Sequence, residues 1–101
     1  MWRWLTSSIP MAEVAITPLG AREFLVAVSD GGHGTTHEVR VPEELGEGIS
    51  LAGEDLERVV RASFDFLLER EPASSILSRF CLSEIARYFA DYPRELARRL
   101  A

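Results

Sequence analysis

Two histidines, one cysteine and a terminal group of arginines are the residues of this chain with the most chemistry to offer. His33 and His37 stand four apart, with Asp30 and Glu38 close by. On a helix that spacing would put two imidazoles on one face, ready for a metal. Here the flanking residues alternate as a strand, where four residues span about 13 Å. The expectation is a solvated loop His33 and a half-buried strand His37, with no metal. Cys81 or Ser83 with either histidine would copy a nucleophile and its base. Cys81, however, lies in the apolar stretch Phe80-Cys81-Leu82 with no electropositive setting, and reads as buried and inert. No G-x-S-x-G elbow is present. Gly46, Gly48 and Gly53 fit neither phosphate-binding spacing, no Lys exists to meet a phosphate, and Glu43, Glu44 and Glu47 surround them. They read as a loop. No catalytic, cofactor-binding or metal-ligating residue is assigned, and no cofactor is expected.

The last twenty residues, LSEIARYFADYPRELARRLA, can be laid over a helix-turn-helix, with Arg94, Arg98 and Arg99 pointing outward as nucleic-acid contacts. Several features oppose that reading. Asp91 and Glu95 lie near the start of the second helix, where phosphates would approach, and no glycine eases the turn. Arginines at a helix carboxyl end are favoured by the helix dipole without any ligand. The chain carries a net charge of −5, so its surface as a whole repels phosphate. All 11 basic residues are Arg, and Asn and Gln are absent, which leaves no carboxamide to read adenine. The arginine bias is the mark of a genome rich in G and C. A helical hairpin that caps the core is preferred over a DNA-reading motif.

These residues must be held by one compact domain, because 101 residues leave no room for a second. With 47% hydrophobic and 27% charged residues, the composition is that of a folded globular protein. A single cysteine excludes a disulfide framework within the chain and fits a reducing cytoplasm. Residues 1–10, MWRWLTSSIP, have too short an apolar run for a signal peptide and read as a flexible tail, with Met1 and Met11 both open as the working start. Trp2 and Trp4 in that tail are candidate partner contacts. No stretch is long and apolar enough to span a bilayer.

From Glu13 the alternation predicts a three-stranded antiparallel meander over about 13–41: EVAITP, REFLVAVS and TTHEVRV. The first turn is expected at Pro18-Leu19-Gly20-Ala21, with a left-handed Gly20, and the second is a looser tip over Ser29–Gly34. Phe24, Val26 and Val28 share one face of the middle strand; His37, Val39 and Val41 share one face of the third. The helical spacing of Leu56, Val59, Val60, Phe64 and Leu67 predicts one long helix over about 54–70, ended by Pro72. Glu54 with Arg58 and Glu57 with Arg61 are expected surface pairs. Phe66 and Leu68 widen its apolar arc, so later helices are expected to dock there. Those helices are expected at about 73–79, 83–90 and 93–100, with a second apolar cluster that includes Ile76, Leu77, Phe80, Tyr88 and Phe89.

The pattern EFLVAV, followed by FLLEREPASSIL, LSEIARYF and YP, resembles a group of small uncharacterised bacterial proteins over roughly Val14 to Leu100. That resemblance implies an α+β fold and a cytoplasmic setting, and implies no catalytic residue. The whole reading is an α+β domain over 11–101, a meander packed on one long helix with two or three short carboxy-terminal helices. By elimination it is a non-enzymatic protein-interaction or regulatory module, with a protein partner or a second copy of itself as ligand. A DNA-binding regulator is the alternative, and a metal- or thiol-dependent enzyme stands third.

Overall fold

The computed structural model describes residues 13–30, 33–45, 49–51 and 54–101. The expected tail with Trp2 and Trp4, the candidate starts Met1 and Met11 and the glycines Gly46, Gly48 and Gly53 lie outside these residues, as do the side chains of Asp30 and His33. The fold is α+β, a four-stranded mixed sheet followed by three helices.

Strands β1 (Glu13–Gly20), β2 (Glu23–Asp30) and β3 (His33–Arg40) form the antiparallel meander that the alternation predicts. Register places Ile16, Val26 and His37 in one row and Phe24 beside Val39, so one face carries the apolar side chains. Val26 and Val28 on that face are fully buried, while Thr36, Glu38 and Arg40 on the other are exposed. Among the described residues, the sheet is covered on one side only.

The turns differ from expectation. Gly20 lies in β1, opposite Glu23, and its φ is not in the left-handed region; an added Cβ would stand 3.5 Å from Glu23 Oε1, ordinary contact. The chain turns at Ala21 and Arg22 instead, and the register shift between Pro18 and Gly20 leaves Leu19 bulged and 55% exposed. Arg22 then acts at a distance that local patterning cannot show: its Nε donates to the Val41 carbonyl at 2.8 Å and its Nη2 to that of Pro42 at 2.7 Å. The chain leaving β3 is thereby tied back to the first turn. At the far hairpin, Asp30 and His33 remain in register, a tighter tip than the six-residue loop expected. In the expected loop after β3, the short strands β4 (Glu44–Leu45) and β5 (Ile49–Ser50) pair with each other.

Helix α1 (Leu56–Arg70) begins two residues later than its apolar spacing suggests, because the Asp55 carboxylate caps it by accepting from the backbone N–H groups of Glu57 and Arg58. Arg61 reaches the Val14 carbonyl at 3.3 Å, tying α1 to β1. Phe64 faces the sheet, its ring 5.5 Å from His37 and 6.1 Å from Phe80.

The expected helix at 73–79 is replaced. After one 3-10 turn at Ala73–Ser75 the chain extends into β6 (Arg79–Cys81), which pairs in parallel with β3. A short apolar run cannot distinguish strand from helix by period alone. Here the strand wins because it delivers Phe80 beside Val39 on the covered face and gives the Glu38 N–H the Ser78 carbonyl at 2.8 Å. A 3-10 turn at Leu82–Glu84, helix α2 (Ile85–Tyr88) and helix α3 (Tyr92–Leu100) complete the chain. Tyr88 and Leu77, expected in the second cluster, are 70% and 47% exposed. Tyr92 takes the buried place instead, fully enclosed against Phe66.

Burial pushes the Tyr92 hydroxyl well above its ordinary titration range. Ser63 Oγ donates to the Val59 carbonyl at 2.8 Å, so its single proton is used and the Tyr92 hydroxyl donates to it at 2.7 Å. Tyr92→Phe is expected to lower stability by about 1 kcal/mol, and Ser63→Ala by more, since it strands a buried donor. In urea unfolding the double variant will lose less than the sum of the two, and strict additivity would refute the pairing.

Candidate binding cleft

The carboxyl end of α1, the extended segment before β6, and α2 enclose an open cleft of about 220 Å³. Its floor is Leu67 from α1, Phe80 from β6 and Ile85 from α2, each buried. Ile76, Leu77, Tyr88 and Phe89 form the rim, and the polar groups are Ser75, Glu71 and Glu84. Among the described residues, two carboxylates and no basic side chain line it. Glu71 is there because it caps α1, and Glu84 because it closes the 3-10 turn, its Oε2 accepting from the Cys81 N–H at 3.0 Å. A carboxylate has about four lone-pair sites, so one such bond leaves Glu84 able to accept more. Chemically the cleft suits an apolar or aromatic side chain with a positive group nearby.

The rim is set by His37. This imidazole is only 2% exposed, so it is buried rather than half-buried as expected. Its Nδ1 lies 2.7 Å from the Leu77 carbonyl, which can only accept, so Nδ1 carries the proton; Nε2 lies 2.9 Å from Thr35 Oγ1. Both ring nitrogens are thus occupied. The Leu77 backbone is held inward while its side chain remains on the rim.

The residues with candidate chemistry are not brought together. His33 stands in register with Asp30 at one end of β3, and Cys81 with Arg40 at the other, seven residues and about 23 Å apart. Cys81 is half-buried rather than buried, and its Sγ accepts from the Ser83 hydroxyl at 3.2 Å. Among the described residues no group of three His, Cys, Asp or Glu side chains is placed to hold a metal ion. A wider polar hollow of about 580 Å³ lies beside Cys81, between Arg40, Arg79, Glu23 and Glu38, and there Arg79 pairs with Glu38 at 3.4 Å.

The terminal arginines differ among themselves. Arg94 is exposed. Arg98 meets Glu95 at 2.7 Å, and Arg99 turns inward to Glu69 on α1 at 2.8 Å, rather than pointing out. Arg70 on α1 reaches Asp91 at 3.1 Å, and the Asp91 side chain, at the start of α3, makes no capping bond to that helix. Two of the three arginines therefore have carboxylate partners, and Arg99 joins helix to helix.

Arg99 bonding holds the Glu69 carboxyl below its ordinary value of 4.5. A carboxyl depressed in the folded state adds stability that is complete above the unfolded value and is lost as pH falls through the folded one. Glu69 is half exposed, so the effect is small, under about 1 kcal/mol. Urea unfolding followed downward from pH 6 should show the wild type losing stability below 4.5 more steeply than Glu69→Gln; parallel curves would remove the bridge from α3 docking.

No protein-family model, curated protein or solved structure matches this chain, so the cleft is read from its own geometry.

Proposed function

We propose that the chain is a small non-enzymatic protein-interaction module that takes an apolar or aromatic side chain, flanked by positive charge, into the cleft between α1, β6 and α2. The observation that carries this reading is the placement of Leu77 and Tyr88, 47% and 70% exposed, on the rim of an apolar floor that is already formed. Scattered surface leucines are ordinary, but large apolar side chains grouped around a concave floor mark a contact site. Glu71 and Glu84 at the same rim select for a cation beside the apolar group. A reducing cytoplasm fits the one free thiol.

Supports for the other readings are weaker. A DNA contact through Arg94, Arg98 and Arg99 would first have to release Arg98 from Glu95 and Arg99 from Glu69. A thiol enzyme is less supported, because His37, the histidine whose side chain is described, is committed to Leu77 and Thr35.

The test is a nuclear magnetic resonance titration of the isotopically labelled full chain with the peptide Ala-Phe-Arg-Phe-Leu. The amides of Leu67, Leu77, Ile85 and Tyr88 should shift together, with a Kd on the order of 0.1–1 mM, as one buried aromatic group and a screened charge pair allow. Leu77→Glu should weaken binding at least about tenfold. Shifts confined to α3, or none by about 2 mM peptide, would reject the cleft as a docking site.

A further inference from the structure

The cleft asks for an apolar or aromatic side chain beside a cation, and among the described residues the chain itself presents that pair once. Its exposed large apolar side chains there are Leu19, Leu77 and Tyr88. Near Leu19, the Arg22 guanidinium is spent on the Val41 and Pro42 carbonyls. Leu77 has Ile76 and Ser78 as neighbours, and the next cation along, Arg79, is paired with Glu38. Tyr88 differs. The residue before it is the exposed Arg87, whose guanidinium meets no carboxylate of the described residues. We propose that the cleft's partner is a second copy of this chain, each copy seating its Tyr88 ring on the other's floor of Leu67, Phe80 and Ile85 and setting its Arg87 against the other's Glu71. The proposal rests on the cleft being a docking site, and names what docks there.

Three observations support a second copy over a foreign partner. The first is charge. Glu71 lines the cleft and pairs with no cation of the described residues, so one chain holds both halves of an ion pair that it leaves unmade. An exposed pair of this kind adds little affinity, but it fixes which partner and which orientation are accepted. The second is position. Tyr88 stands at the rim of its own cleft, so a twofold axis passing beside that rim seats both tyrosines in both clefts by one operation, and the assembly closes at two copies. The third is size. At about 220 Å³ the cleft is below the roughly 300–1,000 Å³ of small-molecule sites, and suits a single large side chain.

The same dimensions set the strength. A tyrosine buries about 150–250 Å², so two of them and the surfaces they cover stay under the roughly 1,200 Å² of a stable interface. The dimer is a transient one, with a Kd on the order of 0.1–1 mM, and a foreign segment of like chemistry competes with it for the same floor.

Sedimentation equilibrium of the full chain over about 0.02–1 mM brackets that constant. The wild type would be compared with Leu77→Glu, Glu71→Arg and Arg87→Glu, with circular dichroism confirming that each is folded. The wild type should move from monomer toward dimer across the range. Each variant alone should associate at least about tenfold more weakly, the two charge reversals because each sets like charges against one another in two symmetric places. An equimolar mixture of Glu71→Arg and Arg87→Glu chains should regain wild-type association, because both ion pairs then form between unlike copies; a pair made within one copy cannot give that result. A wild type that is monomeric at the highest concentration, association unmoved by Leu77→Glu, or a mixture no stronger than its components overturns the proposal. Arg87 does not line the cleft, so the Arg87→Glu chain titrated with Ala-Phe-Arg-Phe-Leu should bind the peptide undiminished, and loss of binding there overturns the assignment of Arg87 to the partner's side. A monomeric wild type that still binds the peptide overturns only the second copy, in favour of a foreign partner, and one that binds neither overturns the cleft as well.

Discussion

The architecture depends on α1 being buried on two opposite sides. Phe64 and Phe66 are two residues apart, and at 3.6 residues per turn they point about 200° from each other. Phe64 packs on His37 and Phe80 of the sheet side; Phe66 packs on Phe89 and Tyr92 from the carboxy-terminal segment. Both are fully buried. A three-stranded sheet alone would leave Phe66 in water, so the residues after Pro72 must return across the helix. The seam is then finished by cations: the Arg70 guanidinium lies 3.8 Å from the centre of the Phe66 ring while its Nη2 meets Asp91, and Arg99 lies over the same ring at 5.8 Å while bonding Glu69. A guanidinium can stack its face on an aromatic ring and spend its edge on a carboxylate, which an ammonium cannot do in the same way.

His37 links that packing to the cleft. Its ring touches Phe64 from within the sheet while its Nδ1 holds the Leu77 carbonyl. The bond spans forty residues, and it fixes the segment that enters β6. Three ladder pairs make a short strand, so an additional side-chain anchor just before it matters for where the chain runs. The consequence is local and chemical. With its carbonyl turned into the core, Leu77 presents its side chain outward, and the wall of the cleft is apolar.

How much of this was legible in the sequence follows from the range of the interactions involved. The meander, the central position of β2 and the inward face of β3 were legible because alternation in Phe24-Leu25-Val26-Ala27-Val28 and His37-Glu38-Val39 is a local record of burial. The two-sided α1 was legible in the width of its apolar arc, through Phe66. The strand at Arg79–Cys81 was not, because Ile76, Leu77 and Phe80 satisfy a helical period as well as an extended one, and the choice is made by β3 and His37, some forty residues earlier. Tyr92 was missed for a related reason: its partner Ser63 is a small polar residue that carries no hydrophobic signal. The cleft was least visible of all. Its carboxylates look in sequence like an ordinary helix end and an ordinary turn residue, and only the fold brings Glu71 and Glu84 to one rim.

The same packing also decides which edges and faces of the described fold stay open. An eight-residue edge strand such as β1 is usually the place where a sheet recruits another chain. Here that edge is blunted: the Val14 carbonyl is taken by Arg61, Pro18 offers no N–H, and Leu19 bulges out of register. The opposite edge, β6, is three residues long and carries the exposed Arg79. Backbone pairing is therefore poorly served at either side of the sheet. Apart from the bulged Leu19, the large apolar side chains left exposed among the described residues are Leu77 and Tyr88, above a floor already shaped by the packing of α1 against β6 and α2. The apolar cleft thus follows from the same return of the chain across α1 that buries Phe66.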